Sequence, residues 1–525
     1  MSTTLASRAV TRSSTTVAAD HAIRAGAREW TALAVLMLPV LLVAVDATVL
    51  SFALPSISAS LNPTGTQLLW IIDIYSLVLA ALLVSIGSIA DRIGRRRLLM
   101  IGSFGFAAVS AVAAYAPTAG GLIASRALLG VFGAMLMPST LSLLRNIFAD
   151  RSQRRLAIAI WAAAFSGGAA LGPIVGGFLL EHFWWGSVFL MAVPVLGLFL
   201  VLAPNFVPES KDASPGPFDM VSIALSLAVM VPVVYAIKSV AKGGLTLTAA
   251  GLLLLGLAAG ALFVRRQLRR PQPMLDVRLF RQSAFTGSVL ANLLSIFSLV
   301  GFLFFISQYL QLVAGQGPMQ AGISLLPGLI VTMVAGLAMV PLVRRVGPRV
   351  IITGGLLISA AGYGAVVFGA VVFGAQQGST AALLLAFVLL SLGIGAAETI
   401  SNDVILSSVP ADKAGAASAI SETAYELGAV LGTAVLGGIL TATYSTHVVL
   451  PAGLNVTAAA SATETLGGAT AVASSLPAPQ AAELLGSAQQ AFGSGVGITS
   501  AIAVVVMLGA AAMVWFALRS TRAEV

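Results

Sequence analysis

Apolar runs of about twenty residues, each long enough to cross a bilayer core as a helix, recur along nearly the whole chain. Charged residues cluster in the stretches between them. The pattern predicts fourteen spanning helices, over approximately 30–54, 67–90, 98–116, 122–145, 156–180, 187–204, 218–238, 246–264, 284–312, 321–343, 350–374, 380–405, 415–443 and 497–518. An even count places both termini on one side of the bilayer. The expected class is an all-α polytopic membrane protein.

Composition agrees: of 525 residues, 58% are hydrophobic and 9% charged, which fits no soluble globular class. Cysteine is absent, so disulfides, thiol catalysis and Cys-based metal sites are excluded. With three His and no phosphate-binding loop, the chain offers no enzyme constellation and no sign of an ATP-driven pump. The net charge of +9 suggests nucleic acid until it is located. With the N-terminus inside, 25 of the 28 Lys and Arg fall in inner segments. Lys238 and Lys242 fall in outer ones, and Arg126 alone lies within a span. This positive-inside bias predicts cytoplasmic termini.

The chain also repeats itself. Ala159-Ile160, Phe165, Gly168, Leu171 and Gly172 reappear 260 positions later as Ala419-Ile420, Tyr425, Gly428, Leu431 and Gly432. Such parallel repeats mark two halves related about an axis along the membrane normal, with the substrate path between them. The expected organisation is a cytoplasmic tail (1–29), a six-helix half (30–210), two inserted helices (211–264), a cytoplasmic linker (265–283), a second six-helix half (284–518) and a short tail (519–525). Within the second half, the order of prolines in the outer connection (444–496) suggests either a short helical piece near Ala481–Gln490 or an irregular loop. The linker's Arg265-Arg266 and Arg269-Arg270 suit a surface of anionic lipid.

Charges inside the spans carry the chemistry, because a charge facing lipid is costly. Glu422 and Glu426 lie four apart in span 13 and share one face. Two like charges in low dielectric resist joint ionisation, so one holds a proton or a cation sits between them. The competing reading is a pair of helix-end carboxylates in a cytoplasmic funnel. Asp46 lies deep in span 1, where a proton-carrying carboxylate belongs. Asp73, near the outer end of span 2 beside Trp70, either meets a cation at the outer mouth or is solvated there. Arg126 in span 4 is the lone intramembrane cation and needs a buried acceptor or water. Glu398 and Asp403 in span 12 are accessory sites or solvated groups, Glu398 being the better functional candidate. Between spans 2 and 3, Gly87, Asp91, Arg92, Gly94 and Arg95 form a cluster in which Asp91 can pair with an Arg and with N–H groups at a helix start. It suits a conformational latch, or is an ordinary basic loop. In span 5, Gly172, Pro173, Gly176 and Gly177 permit tight packing and a kink, hence a hinge.

In order along the chain, these residues resemble the fourteen-helix drug:proton antiporters of the major facilitator superfamily, the QacA-like multidrug exporters. The carriers are Asp46 with Thr48 and Pro55; Trp70 with Asp73, Tyr75 and Ser76; the Asp91–Arg97 loop; Arg126 with Gly130; Gly172-Pro173 with Gly176-Gly177; Pro208-Glu209-Ser210; and Glu422 with Glu426. The resemblance implies the major facilitator fold and proton coupling through Asp46, Arg126, Glu422 and Glu426. It implies cation recognition by Asp73, Glu422 and Glu426, and a latch at Asp91 and Arg95. The chain departs from some relatives in having no Asp or Glu between Asp276 and Glu398, which counts against a divalent-cation preference built on span 10.

The expected function is proton-driven export of lipophilic cationic drugs, dyes and quaternary-ammonium biocides by alternating access. Substrate contacts are expected at Asp46, Asp73, Tyr75, Glu398, Glu422 and Glu426, with Phe305, Tyr309 and Tyr425 around the cation's apolar body. Alternatives are a narrow exporter of one antibiotic or metabolite, and a proton-coupled importer, against which Gly172-Pro173 argues. No cofactor or metal is expected, the proton gradient being the energy source. The expected partners are cationic small molecules, protons and membrane lipids, not nucleic acid, and the chain is expected to be a monomer in the bacterial cell membrane.

Overall fold

A backbone in hydrocarbon must satisfy its own polar groups, so the apolar runs can span only as helices. The structure, a computed structural model, describes residues 25–211, 219–244, 246–271, 273, 275–373, 380–409 and 414–519. Most of the expected N-terminal tail, all but the first residue of the C-terminal tail and the start of the inserted segment lie outside these residues. Among the described residues, fourteen helices are long and apolar enough to cross a membrane. They are α1 (Ala27–Leu61), α2 (Gly65–Ile93), α3 (Arg95–Ala114), α4 (Ala119–Ile147), α5 (Arg151–His182), α6 (Ser187–Phe206), α7 (Met220–Gly243), α8 (Leu247–Arg269), α9 (Ser283–Val313), α10 (Pro318–Val346), α11 (Pro348–Phe373), α12 (Thr380–Ser407), α13 (Ala416–His447) and α14 (Ala478–Ala517). The chain is a multi-pass membrane protein.

Local sequence sets the helix ends. Thr64 and Gln67 cap α2 reciprocally: the Thr64 hydroxyl accepts from the Gln67 N–H (3.2 Å) and Gln67 Oε1 accepts from the Thr64 N–H (2.9 Å). Asp150 accepts from the Gln153 N–H (2.9 Å) and starts α5. The fourth span is not one continuous helix as expected. It stops at Gly133 and resumes at Met137, because Pro138 has no N–H to bond residue 134.

Each half has its own apolar core. One lies within α1–α6 around Phe106, Phe148, Phe189 and Phe199. The other lies within α9–α14 around Phe302, Tyr363 and Phe387, and reaches across to Phe52, Leu54, Leu68 and Leu69 of the first half. The halves are tied at the end opposite the Arg95–Arg97 loop. There Ser307 donates to the Ser51 carbonyl (2.9 Å), Gln311 to the Phe52 carbonyl (3.1 Å) and the Gly65 N–H to Glu464 (2.8 Å). Glycines allow this approach. A Cβ on Gly177 would lie 2.6 Å from the Met319 Cα, and one on Gly322 would strike the Pro173 carbonyl. Gly172 and Gly176 instead seat Thr48 and Val49 of α1. The expected hinge glycines thus serve two seams, one within the first half and one between halves.

The connection after α13 differs from expectation. Ala481–Gln490 is not a separate piece but the first part of α14, which runs unbroken for 40 residues. After Pro479 no proline interrupts it, and at 1.5 Å per residue it extends about 60 Å, well beyond a bilayer core of about 30 Å. Two short helices, Val456–Glu464 and Leu466–Ala473, precede it, and Tyr444 pins them by donating to the Ala462 carbonyl (2.8 Å).

The inserted helices α7 and α8 form a hairpin clasped at the arginine-rich end. Asp219 caps α7 by accepting from the Ser222 N–H (3.1 Å), and pairs with Arg266 (2.8 Å) and Arg270 (3.0 Å). Burial alone would raise the Asp219 carboxyl, but hydrogen bonds from Arg266 and Ser222 outweigh it and hold it at about 2, below the ordinary 3.8. A depressed carboxylate stabilises fully above its ordinary value, and that stability is lost as pH falls through the folded value. Asp219→Ala should therefore loosen the start of α7 by about 1 kcal/mol for the cap alone. Hydrogen exchange at Met220–Ile223 should be faster than wild type at neutral pH, and the difference should vanish as pH falls from 3.8 through about 2.

Candidate functional site

Arg126 of α4 is buried, with a side chain 3% exposed, and its Nη1 donates to Asp46 Oδ2 of α1 at 3.0 Å. Its Nε donates to the Ile71 carbonyl of α2 (3.2 Å), and its guanidinium lies 4.6 Å over the Tyr75 ring. Tyr75 is held in turn against Phe106, edge to face, and by the bare faces of Gly130 and Gly133. Three helices thus converge on one cation, and a small-residue stripe on α4 lets α2 come close enough to present Tyr75. The buried acceptor that Arg126 requires is Asp46.

The second half faces this pair with three glutamates. Glu426 of α13 lies against Ser76 of α2 and within electrostatic reach of both Arg126 and Glu422. Glu398 of α12 interacts with Glu422, and Tyr425 stands within reach of all three glutamates. Glu422 is exposed, whereas Glu398, Tyr425 and Glu426 are half-buried and Asp46 is buried. Of these acids, Glu422 is therefore the one open to its surroundings, and Asp46 the one sealed among helices. Asp403 is exposed. A polar network missed at the sequence level supports these helices: Asn292 of α9 donates to Ser421 Oγ (3.0 Å), and Ser421 donates to Asn402. The only signal was an isolated Asn in an otherwise apolar span. The aromatic candidates are spread. Phe305 is in the core beside Phe302 (4.6 Å), and Tyr309 opens a π-helical turn, Tyr309–Val313, matched by a second at Thr433–Gly437 in α13. Such turns often mark functional positions.

Asp73 corrects the sequence reading. It is neither solvated nor at an open mouth: its Oδ2 lies 2.9 Å from Lys238 Nζ, with both side chains 1% exposed. Lys238 is therefore not an outer-loop residue, and Arg126 is not the lone intramembrane cation. Lys238 comes from the inserted helix α7, its ammonium 3.9 Å over the Trp70 ring, and Thr433 of the second half also reaches Asp73. The inserted hairpin is thus docked against both halves. Charge counting placed Lys238 outside because it ends an apolar run. The telling signal was its helical spacing from Tyr235, which packs near Trp70.

The expected latch turns on the Asp91 side chain, which lies outside the described residues, as do the surroundings of Gly87. A carboxylate not singled out for this role, Glu209, stands at the start of α3 and accepts from the N–H groups of Arg96 (3.0 Å) and Arg97 (3.2 Å). Gly94, at φ 115°, makes the turn that lets Glu209 approach; a Cβ there would lie 2.8 Å from it. Arg95 donates its N–H to the Ser210 carbonyl (2.9 Å) and its Nη1 to Ser210 Oγ (3.3 Å). Arg92 is exposed at the end of α2. Among the described residues, no group of three His, Cys, Asp or Glu is placed to hold a metal ion.

The family model described as Major Facilitator Superfamily matches residues 36–433. The chain belongs to this superfamily. It is 57% identical to the multidrug efflux pump LfrA of Mycolicibacterium smegmatis over 94% of this chain and 97% of that one. It is 39% identical to the methyl viologen resistance protein SmvA of Salmonella typhimurium, covering 94% and 98%. It is 33% identical to the tetracenomycin C resistance and export protein of Streptomyces glaucescens, covering 93% and 91%. Among solved structures it is similar to a bacterial homologue of the human lysosomal transporter Spinster, with a TM-score of 0.67 at 17% identity, covering 94% and 98%. This facilitator chain is a transporter, not an enzyme, and its relatives are drug efflux and resistance exporters.

Lys238→Met would strand the Asp73 carboxylate in a buried site. Removing one partner of such a pair costs about 3–5 kcal/mol. The single variant should show a marked loss of thermal stability in detergent, and Asp73→Asn/Lys238→Met should recover most of it.

Proposed function

We propose that the transporter is a proton-coupled antiporter that exports lipophilic cations from the bacterial cytoplasm. The observation that carries this reading is the division of acids across the seam. In the first half, Asp46 is fully engaged by Arg126. In the second, Glu398, Glu422 and Glu426 gather around Tyr425, with no basic side chain of their own half beside them among the described residues. A cation entering there meets carboxylates and an aromatic face together, the chemistry that recognises a flat organic cation. Methyl viologen, named for one relative, is such a cation.

Cation and proton then compete for the same negative charge. With the end bearing Ser51, Phe52 and Glu464 closed, the glutamates admit the cation. Opening toward the outside would part Arg126 and Asp46 from Glu426, and protonation there would release the cation. The basic loops support placing the arginine-rich end, and both termini, in the cytoplasm. Asp46, Arg126, Glu422 and Glu426 carry coupling, and Glu398, Glu422 and Glu426 also carry recognition. The relative named for tetracenomycin C keeps open a narrow exporter of one antibiotic, which a substrate panel separates from this reading.

Dye efflux from energised cells tests the proposal, with ethidium as monocation and a bis-cationic dye beside it. Wild type should exclude both until a protonophore is added. Asp46→Asn should abolish efflux of both, a loss of about 10²-fold or more for a group required in proton transfer. Glu422→Gln should impair the bis-cation more than the monocation. Efflux that persists after the proton gradient collapses would overturn coupling, and failure to move either dye would favour the narrow exporter.

A further inference from the structure

The four arginines at the end of the inserted hairpin divide between two faces of α8. Arg266 and Arg270 turn inward and pair with Asp219 (2.8 and 3.0 Å). Arg265 and Arg269, four apart and so on one face, are exposed and have no acidic partner among the described residues. They close one end of a groove of about 690 Å³ between α7 and α8, otherwise walled by apolar groups such as Val229, Val233, Leu257, Gly260 and Val264. The outer flank of α8 is bare, with Leu254 67%, Leu257 59% and Leu262 55% exposed. From Gly256 to Arg269 the groove runs roughly 20 Å along the helix. That is close to the depth of one leaflet, about half of a 30 Å core.

We propose that this groove is a binding site for an anionic phospholipid, its acyl chain along the α7–α8 seam and its phosphate between Arg265 and Arg269. An apolar trough facing hydrocarbon is filled by an acyl chain whatever the headgroup. Two unpaired guanidiniums at its mouth select a negative headgroup, through the bidentate geometry that favours Arg for phosphate. The occupant must be a lipid rather than free phosphate, because the trough and the arginines form one continuous surface. The site is independent of the transport reading.

The test is lipid binding to the purified full-length chain, by native mass spectrometry after delipidation. Phosphatidylglycerol and phosphatidylcholine with identical acyl chains are the probes. Wild type should retain phosphatidylglycerol preferentially. Arg265→Gln/Arg269→Gln keeps the Asp219 clasp and should remove that preference, weakening phosphatidylglycerol binding about fivefold for each arginine. Gly260→Leu should fill the trough and weaken both lipids, and it should fold, since a Cβ there meets nothing nearer than 3.8 Å. Arg344→Gln/Arg345→Gln, which removes two exposed arginines elsewhere at the same end, should change neither. An unchanged preference in the Arg265/Arg269 variant, undiminished lipid binding in Gly260→Leu, or an equal loss in the Arg344/Arg345 control would each overturn the proposal.

Discussion

A guanidinium in hydrocarbon cannot be left without an anion, and Arg126 answers this constraint by taking Asp46 at 3.0 Å. The rest of the site follows from that pairing. Tyr75 supplies a π face, Gly130 and Gly133 let α2 come close enough to present it, and the Ile71 carbonyl takes the Nε–H. With Asp46 paired to Arg126, Glu422 is the exposed member of Asp46, Glu398, Glu422 and Glu426. Glu426 of the other half lies within the field of Arg126, and on the proposed reading opening toward the outside separates it from the Arg126–Asp46 pair.

A second buried pair, Asp73–Lys238, applies the same constraint to the inserted hairpin. The hairpin could have been a passive addition at the edge of the fold. Instead, α7 sends its lysine to an acid of the first half while packing Val234 with Val430 and Ala434 of the second. The clasp of Asp219 on Arg266 and Arg270 holds the hairpin's far end. A helix tied to both halves moves with neither freely, so the insertion is a structural bridge between them.

The spans and the paired halves were legible because a bilayer demands long apolar helices and the repeat leaves matching glycines. Asp46, Arg126, Glu422 and Glu426 were legible because charge inside a span is rare and costly. Lys238 was not, since a lysine at the end of an apolar run reads as an interface residue, and only tertiary packing brings Asp73 to it. Glu209 was passed over because its partners are backbone N–H groups, which every helix start possesses. The helical piece at Ala481–Gln490 was legible, but its continuity with the last span was missed, because polar Gln and Ser residues break the apolar run of a helix that leaves the membrane.

The central claim is that cation and proton compete for one set of carboxylates. The most direct measurement is proton release on adding a lipophilic cation to purified protein in weakly buffered detergent, with binding followed in parallel by calorimetry. The account predicts that binding releases protons, and that release falls when Glu422 and Glu426 are both replaced by Gln while the chain stays folded. Binding of undiminished affinity with no proton release from the wild-type chain would contradict it.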